Sequence, residues 1–293
     1  MPELPEVETV RRGLERLVVG RRVSGLEVRC DKSFGTVADS LAERDLLGGG
    51  ITGVRRRGKV LVLDLESGHC LVAHLKMTGQ LIVRDDAGER WGAGHPNDSL
   101  VGELPDRSTR VIVRFDDGAT LFFNDQRKFG WLHLMPAEAV GEIALVAGMG
   151  PEPLEGDPWP QFRARVRRHQ ATSIKAALLN QAVLAGVGNI YADEALWGAR
   201  VHPATPVGSL TDRALREILR EIRRVMELSL ELGGSTDRNY VDAEGKRGSY
   251  LAFAQVFRRE GQPCPRCGTT IVKTRVAGRG THVCPRCQRL RAA

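Results

Sequence analysis

Proline occupies position 2, directly behind a methionine, and carboxylates follow at Glu3, Glu6 and Glu8 in "MPELPEVE". Two readings fit this opening. As structure, Pro5 suits the first position of a helix, with Glu6 and Glu8 in the first turn facing the positive end of the dipole. As chemistry, removal of Met1 would leave Pro2 with a free secondary amine. An α-amine titrates near 8 against about 10.4 for lysine, so its neutral fraction at pH 7 is on the order of a hundredfold larger. A helix start a few residues away disfavours the ammonium form further. Such an amine condenses with an electrophilic carbon to give a cationic iminium, an electron sink for breaking a neighbouring bond. Glu3 and Glu6 are spaced to donate and accept protons beside it.

The second constellation is "CPRC" at 264–267 and again at 284–287, with sixteen residues between. Cys264, Cys267, Cys284 and Cys287 in two C-x2-C knuckles supply four thiolates for one tetrahedral Zn2+. Redox dithiols would need a thioredoxin-like βαβ context, which the tail lacks. Between the knuckles, "VKTRVAGRGTHV" alternates like a β-hairpin whose Gly-Arg-Gly tip projects Arg279. Alone that arginine is a solvated side chain; within a basic zinc module it becomes a candidate phosphate contact. Cys30 and Cys70 have no partner at metal spacing and read as small buried hydrophobes.

The chain has 293 residues, 42% hydrophobic and 27% charged, which describes a globular protein large enough for more than one domain. No apolar run approaches the roughly 18 residues of a membrane span, and the first residues do not form a signal segment. Six cysteines in this length argue for a reducing compartment, so a cytoplasmic protein without membrane contact is expected. The net charge is +7, and it is uneven: residues 257–293 carry nine Lys or Arg against one acid, while the rest is close to neutral. A compact basic module points to a polyanion, with nucleic acid the first choice and a merely solvated tail the alternative.

Elements must position these groups. Val7, Val10, Leu14, Leu17 and Val18 fall on one face of a helix from Glu6 to Val18. Short apolar or alternating segments follow at 59–65, 70–75, 80–83, 110–115, 120–123 and 131–135, with "ESG" and "DDG" as turns. They predict a β-sandwich or barrel behind one leading helix. Residues 85–107, rich in Gly, Asp, Asn and Pro, read as an exposed loop. "MGPEPLEGDPWP" (149–160) marks a boundary, after which helices are expected at 173–181, 189–199 and 211–232. Residues 234–250 read as a loop.

The remaining motifs fit a nucleic-acid partner. "GVGNIY" at the start of the 189–199 helix points backbone N–H groups and Asn189 outward, an arrangement that binds phosphate. "RRRGK" (55–59) adds a basic cluster ending in Lys59, which otherwise reads as a solvated strand start. "DQRKFGW" puts Arg127 and Phe129 on one side of an extended segment, and Met77 follows another strand in "HLKMTG". Separately they are a surface arginine and two core residues. With a DNA-binding tail they resemble a wedge filling the gap left by an extruded base. The electrophile for Pro2 is then a sugar C1′, and the bond broken next to the iminium is a phosphoester.

In chain order, "PELPEVE", "RRRGK", "HLKMTG", "NDQRKFG", "MGPEPL", "GVGNIYADEALW", "HP" and the two CPRC knuckles resemble bacterial formamidopyrimidine-DNA glycosylases over nearly the whole chain. The resemblance implies an α+β multidomain fold. It would comprise an N-terminal β-sandwich catalytic domain (1–136), a linker (137–160), a helix–two-turn–helix domain (161–256) and a four-cysteine zinc finger (257–291). DNA would lie in the cleft between. It implies a monomeric base-excision repair enzyme that removes 8-oxoguanine and formamidopyrimidines from damaged double-stranded DNA. The enzyme then nicks the strand by β- and δ-elimination.

By the same resemblance Pro2 is the Schiff-base nucleophile, Glu3 the proton donor at the deoxyribose and Glu6 a supporting acid. Lys59 and Arg279 belong to the catalytic set and, with Asn189, to phosphate-contacting positions. Met77, Arg127 and Phe129 fill the void, with Arg127 facing the orphaned cytosine. His95, Arg110 and Lys175 are further DNA contacts.

Three features depart from the family pattern. Arg258 stands where a Y-G-R-x-G run usually has glycine, "SYLAFAQ" (249–255) differs from the usual G-Y-F pattern, and the 85–107 loop is long. Two other classes share the fold: the endonuclease VIII group, which removes oxidised pyrimidines and typically opens PEGPE, and a non-catalytic DNA binder. Leu4 favours the purine branch.

Overall fold

The structure is a computed structural model that describes residues 2–36, 45–94, 102–234 and 250–290. It forms two compact units, one built on Met1–Ala147 and the other on Gly148–Leu232 and the residues from Ser249 onward.

The first unit opens with helix α1 (Leu4–Val18), which starts two residues earlier than its apolar stripe requires because Glu3 caps it. Val7, Val10, Leu14 and Val18 are its buried face, as the spacing predicts. Among the described residues ten strands follow: β1 (Val23–Val28), β2 (Phe34–Thr36), β3 (Ile51–Arg57), β4 (Val60–Leu65), β5 (His69–His74), β6 (Gly79–Arg84), β7 (Arg90–Gly94), β8 (Thr109–Phe115), β9 (Thr120–Asp125) and β10 (Trp131–Pro136). They form two five-stranded sheets, ordered β1-β8-β9-β6-β7 and β2-β10-β5-β4-β3. All pairings are antiparallel except β2 with β10. One apolar core joins the two sheets and α1, with Leu61, Leu63, Leu71, Leu81, Phe123 and Leu134 at its centre. Gly13 lets α1 lie directly on β7, since a Cβ there would run into the Trp91 indole.

The expected loop at 85–107 therefore contains an edge strand, β7. Its sequence "RWGAG" hides it, because Gly94 (φ 127°) passes so close to the backbone of Gly79 and Gln80 that no larger residue fits. Residues 235–249 of the expected loop and the stretch 95–101, His95 included, lie outside the described residues.

The second unit is helical and ends in a hairpin: α2 (Trp159–Val166), α3 (Ile174–Leu179), α4 (Asn189–Gly198), α5 (Asp212–Glu231), then β11 (Val272–Val276) paired with β12 (Arg279–Val283). Ser173 and Thr211 cap α3 and α5 by accepting from Ala176 N and Ala214 N. In α4 every residue from Tyr191 to Trp197 is buried. Among the described residues no helix is long and apolar enough to cross a membrane.

Candidate active site and nucleic-acid interface

Pro2 and Glu3 lie at the start of α1 and are both buried. Glu3 and Glu6 form a reciprocal capping box: the Glu6 carboxylate accepts from Glu3 N at 2.8 Å, and the Glu3 carboxylate takes the Glu6 N–H. The capping reading and the chemical reading of the opening thus describe one arrangement. Glu6 holds the chain at Glu3, and residue 2 is placed just ahead of the positive end of the helix.

Lys59 sits in the two-residue turn between β3 and β4, where Gly58 takes the positive φ (55°) that its position requires. The rest of the basic cluster holds this hairpin in place. Arg55 forks onto Asp64 across the sheet, and half-buried Arg56 joins Glu8 of α1 (3.1 Å) to the Gly58 carbonyl (3.0 Å). Lys59 is therefore tied to α1 through Arg56.

Beside it in the ladder, opposite Val60, is His74. Its Nδ1 accepts from Lys76 N at 2.9 Å, which puts the proton of the neutral ring on Nε2. Burial, reinforced by Lys76 and Lys59, pushes this histidine down to about 3, so it is a neutral N–H donor next to a cation. Sequence reasoning missed His74, although it stands in the quoted "HLKMTG".

Met77, Arg127 and Phe129 come together. Arg127 Nη1 donates to Met77 Sδ at 3.1 Å, and its guanidinium lies 4.7 Å from the Phe129 ring centroid. Met77 is 41% and Phe129 53% exposed, an apolar tip offered to solvent around a cation. The segment is a tight turn rather than the extended stretch the sequence suggested, because buried Asp125 curls it. Its carboxylate accepts from Arg127 N (3.1 Å), Gly130 N (2.6 Å) and the Thr78 hydroxyl. Lys128 is left with φ 58° between the two exposed side chains. Arg110 is buried behind this turn and donates from Nε to the Asp125 carbonyl at 2.7 Å. It supports the wedge from beneath rather than facing solvent.

In the second unit the cations sort differently. Lys175 is fully buried, so in this structure it does not face a ligand. Its ammonium pairs with Asp193 Oδ1 (2.6 Å) and bonds the Thr281 hydroxyl (2.8 Å) and the Gly280 carbonyl (3.2 Å). Asp193 Oδ2 accepts from His282 N at 2.9 Å and lies 3.3 Å from His282 Nδ1. Asn189 Nδ2, one turn earlier on α4, reaches the same Gly280 carbonyl at 3.1 Å. This network pins β12 to α4 and sets Asn189 and Arg279 on one local frame.

Glu194 adds a second clamp by accepting from the N–H groups of Gln255, Val256 and Phe257 at 2.8–2.9 Å. Burial raises its pKa despite those bonds. Asp125, Asp193, Glu194 and His282 were not singled out from the sequence. The available signal was a helix buried all round with two adjacent acids, which demands internal partners.

The four finger thiols lie within 4.8 Å of one another, with Cys267–Cys284 at 3.5 Å and Cys264–Cys287 at 4.0 Å. Tetrahedral zinc with Zn–S near 2.3 Å needs sulfurs about 3.8 Å apart, so the cage fits the ion, and it is too wide for disulfides. Thr269 holds the Cys267 thiol down to about 6, while burial and the neighbouring sulfurs push Cys287 up to about 12. Four such groups ionise together only around a cation. Trp197 donates to Cys264 Sγ (3.4 Å) under the Arg266 guanidinium, joining the zinc site to the end of α4.

Comparison with known proteins completes the picture. Residues 1–132 match the formamidopyrimidine-DNA glycosylase N-terminal domain, 149–240 its H2TH domain, and 261–290 a zinc finger found in FPG and IleRS. A formamidopyrimidine-DNA glycosylase of Symbiobacterium thermophilum is 45% identical over 288 residues, covering 98% of this chain and 89% of the relative. The chain belongs to the formamidopyrimidine-DNA glycosylase family.

Among solved structures, a Lactococcus lactis FPG mutant in complex with Fapy-dG-containing DNA superposes with a TM-score of 0.84 at 33% identity. That match covers 99% of this chain and 100% of the other. MutM in complex with DNA containing carbocyclic 8-oxo-G gives 0.82 at 33% identity with the same coverage. The α+β fold expected of a formamidopyrimidine-DNA glycosylase, with sandwich, two-turn helical pair and zinc finger, is the fold observed.

Proposed function

We propose that this protein is a bifunctional DNA glycosylase and abasic-site lyase of base-excision repair, acting as a monomer on oxidised purines in duplex DNA. The observation that carries this reading is the buried Pro2–Glu3 pair held at the head of α1 by the capping box. With Met1 removed, the Pro2 amine adds to C1′ of the damaged nucleotide. Glu3 delivers a proton to the sugar oxygen, the ring opens and the base departs. The resulting iminium acidifies C2′–H, and loss of that proton expels the 3′ phosphate; a second elimination releases the 5′ side.

Lys59 and neutral His74 offer N–H donors to the phosphates around the flipped nucleotide, and Asn189 and Arg279 hold the backbone elsewhere. Met77, Arg127 and Phe129 occupy the vacated stack, with Arg127 toward the unpaired cytosine. Zinc, held by the four cysteines, supplies folding energy for the finger and takes no part in the chemistry. A repair enzyme with this polyanion-binding surface works in the cytoplasm on the nucleoid.

Single-turnover assays on Glu3→Gln test the assignment. The variant loses removal of 8-oxoguanine but still cleaves a preformed abasic site, whose sugar already samples the open aldehyde. Equal loss on both substrates would place Glu3 in a shared step and break the assignment. Parallel excision assays with oxidised pyrimidines are expected to show the purine preference; the reverse order would overturn it.

A further inference from the structure

Among the described residues, five that are not glycine adopt a left-handed backbone: Lys76, Lys128, Arg200, Arg258 and Ala277, with φ between 47° and 58°. Most have an evident use. Lys76 precedes Met77, Lys128 separates Arg127 from Phe129, and Ala277 turns the hairpin that carries Arg279. Arg200 closes α4, where Val201 N bonds back to the Leu196 carbonyl at 2.9 Å. Arg258 is the one left over.

It is the second central residue of the turn Val256–Arg259, closed by Arg259 N on the Val256 carbonyl at 3.1 Å. Phe257 does not share the positive φ, so this is the turn pattern whose second central position belongs to glycine. The family's usual run has glycine there. An arginine at that place works against the backbone, and what it adds is an exposed cation.

The surroundings say where that cation stands. The N–H of Phe257 is held by buried Glu194 of α4. The Phe257 ring meets His282 of β12 edge-on, 5.1 Å between centroids, and the Arg258 guanidinium lies 5.8 Å from the Phe257 ring. The turn is therefore clamped to the same helix that begins with Asn189 and packed on the same strand that begins with Arg279.

We propose that Arg258 is a further phosphate-binding residue of this chain, gripping the DNA backbone beside the groups held by Asn189 and Arg279. It adds affinity without reading sequence. The inference rests on the DNA-binding reading of that edge.

The test measures affinity of the full-length, zinc-loaded protein for a short duplex carrying a stable abasic-site analogue, across salt concentrations. Arg258→Gly relieves the strained backbone, so its thermal midpoint is held or raised. Its log–log salt slope falls by about one unit, so that the affinity lost between about 50 and 200 mM salt shrinks roughly fourfold. Arg258→Lys keeps the parental slope, and Arg258→Gln, which keeps the side-chain length, loses the same unit as glycine. Arg279→Ala serves as the reference. If Arg279→Ala lowers the slope and neither Arg258→Gly nor Arg258→Gln does, the inference is overturned while the reading of the edge stands. If none of the three alters the slope, that edge does not bind the backbone and both fall.

Discussion

The two units present their functional side chains in opposite ways. In the sandwich unit these groups stand on turns. Lys59, itself buried, sits on a two-residue hairpin tip, while exposed Met77 follows a left-handed Lys76 and exposed Arg127 and Phe129 stand on a turn curled by Asp125. Behind those turns is a continuous apolar core drawn from both sheets and α1. In the helix–finger unit the corresponding groups, Asn189 and Arg279, begin regular elements, and what lies behind them is ionic: Lys175 with Asp193 and His282, and Glu194 capping three backbone N–H groups. A large core anchors such turns mainly by hydrophobic burial, with Asp125 and the Arg56–Glu8 pair as local polar ties. A roughly 35-residue finger has too little apolar surface for that, so buried charge and zinc take its place.

That contrast predicts where the protein is fragile. The largest effect belongs to the metal. Metal analysis is expected to find one zinc per chain. A strong chelator, or Cys→Ser at any of the four ligands, abolishes duplex binding while the sandwich unit keeps its own thermal transition. Intact binding by metal-free protein would contradict the account.

The next effect belongs to the buried ion pair. Lys175→Met leaves Asp193 uncompensated at full burial, and the helix–finger unit loses about 3–5 kcal/mol in denaturant titrations. Removing Arg55 from its exposed pair with Asp64 in the other unit costs no more than about 1 kcal/mol. Similar losses at the two sites would erase the distinction.

The effect that is absent at neutral pH is on the pH dependence of the sandwich unit. His74, ordinarily near 6.5, is held neutral down to about 3 in the folded state. As pH falls below 6.5 the unfolded chain takes up a proton that the folded one refuses. Stability therefore drops by up to about 1.4 kcal/mol per pH unit within that window and is unaffected above it. His74→Gln flattens the slope between pH 6.5 and the lower limit; an unchanged slope would mean that the ring is not held neutral.

How much of this was legible follows from the same physics. Strands with unbroken apolar runs, such as "VLVLDL" and "RVIVRF", declare themselves, as do α1, α4 and α5. Strands β1 and β3 do not, because their charged residues mask the strand pattern and find their partners only on neighbouring elements: Glu27 on Arg114, Arg55 on Asp64, Arg56 on Glu8. The zinc ligands were plain because metal spacing is local in sequence. Lys175 entered as a DNA contact through the family resemblance, and nothing in the sequence signals its burial, since only the fold brings Asp193 and Thr281 to it. His74 stayed hidden for a related reason, since its role depends on a neighbour two residues on and a ladder partner across the sheet.

The most direct measurement is borohydride trapping on duplex DNA containing an abasic site, run side by side on two forms of the protein checked by mass spectrometry. Protein that has lost Met1 exposes the Pro2 amine and is predicted to give a covalent complex approaching one strand per active molecule. Protein that retains Met1 carries an amide nitrogen at Pro2 and is predicted to give none. Robust trapping by the Met1-retaining form would show that the nucleophile is some other group, and the chemistry assigned here to the head of α1 would be wrong.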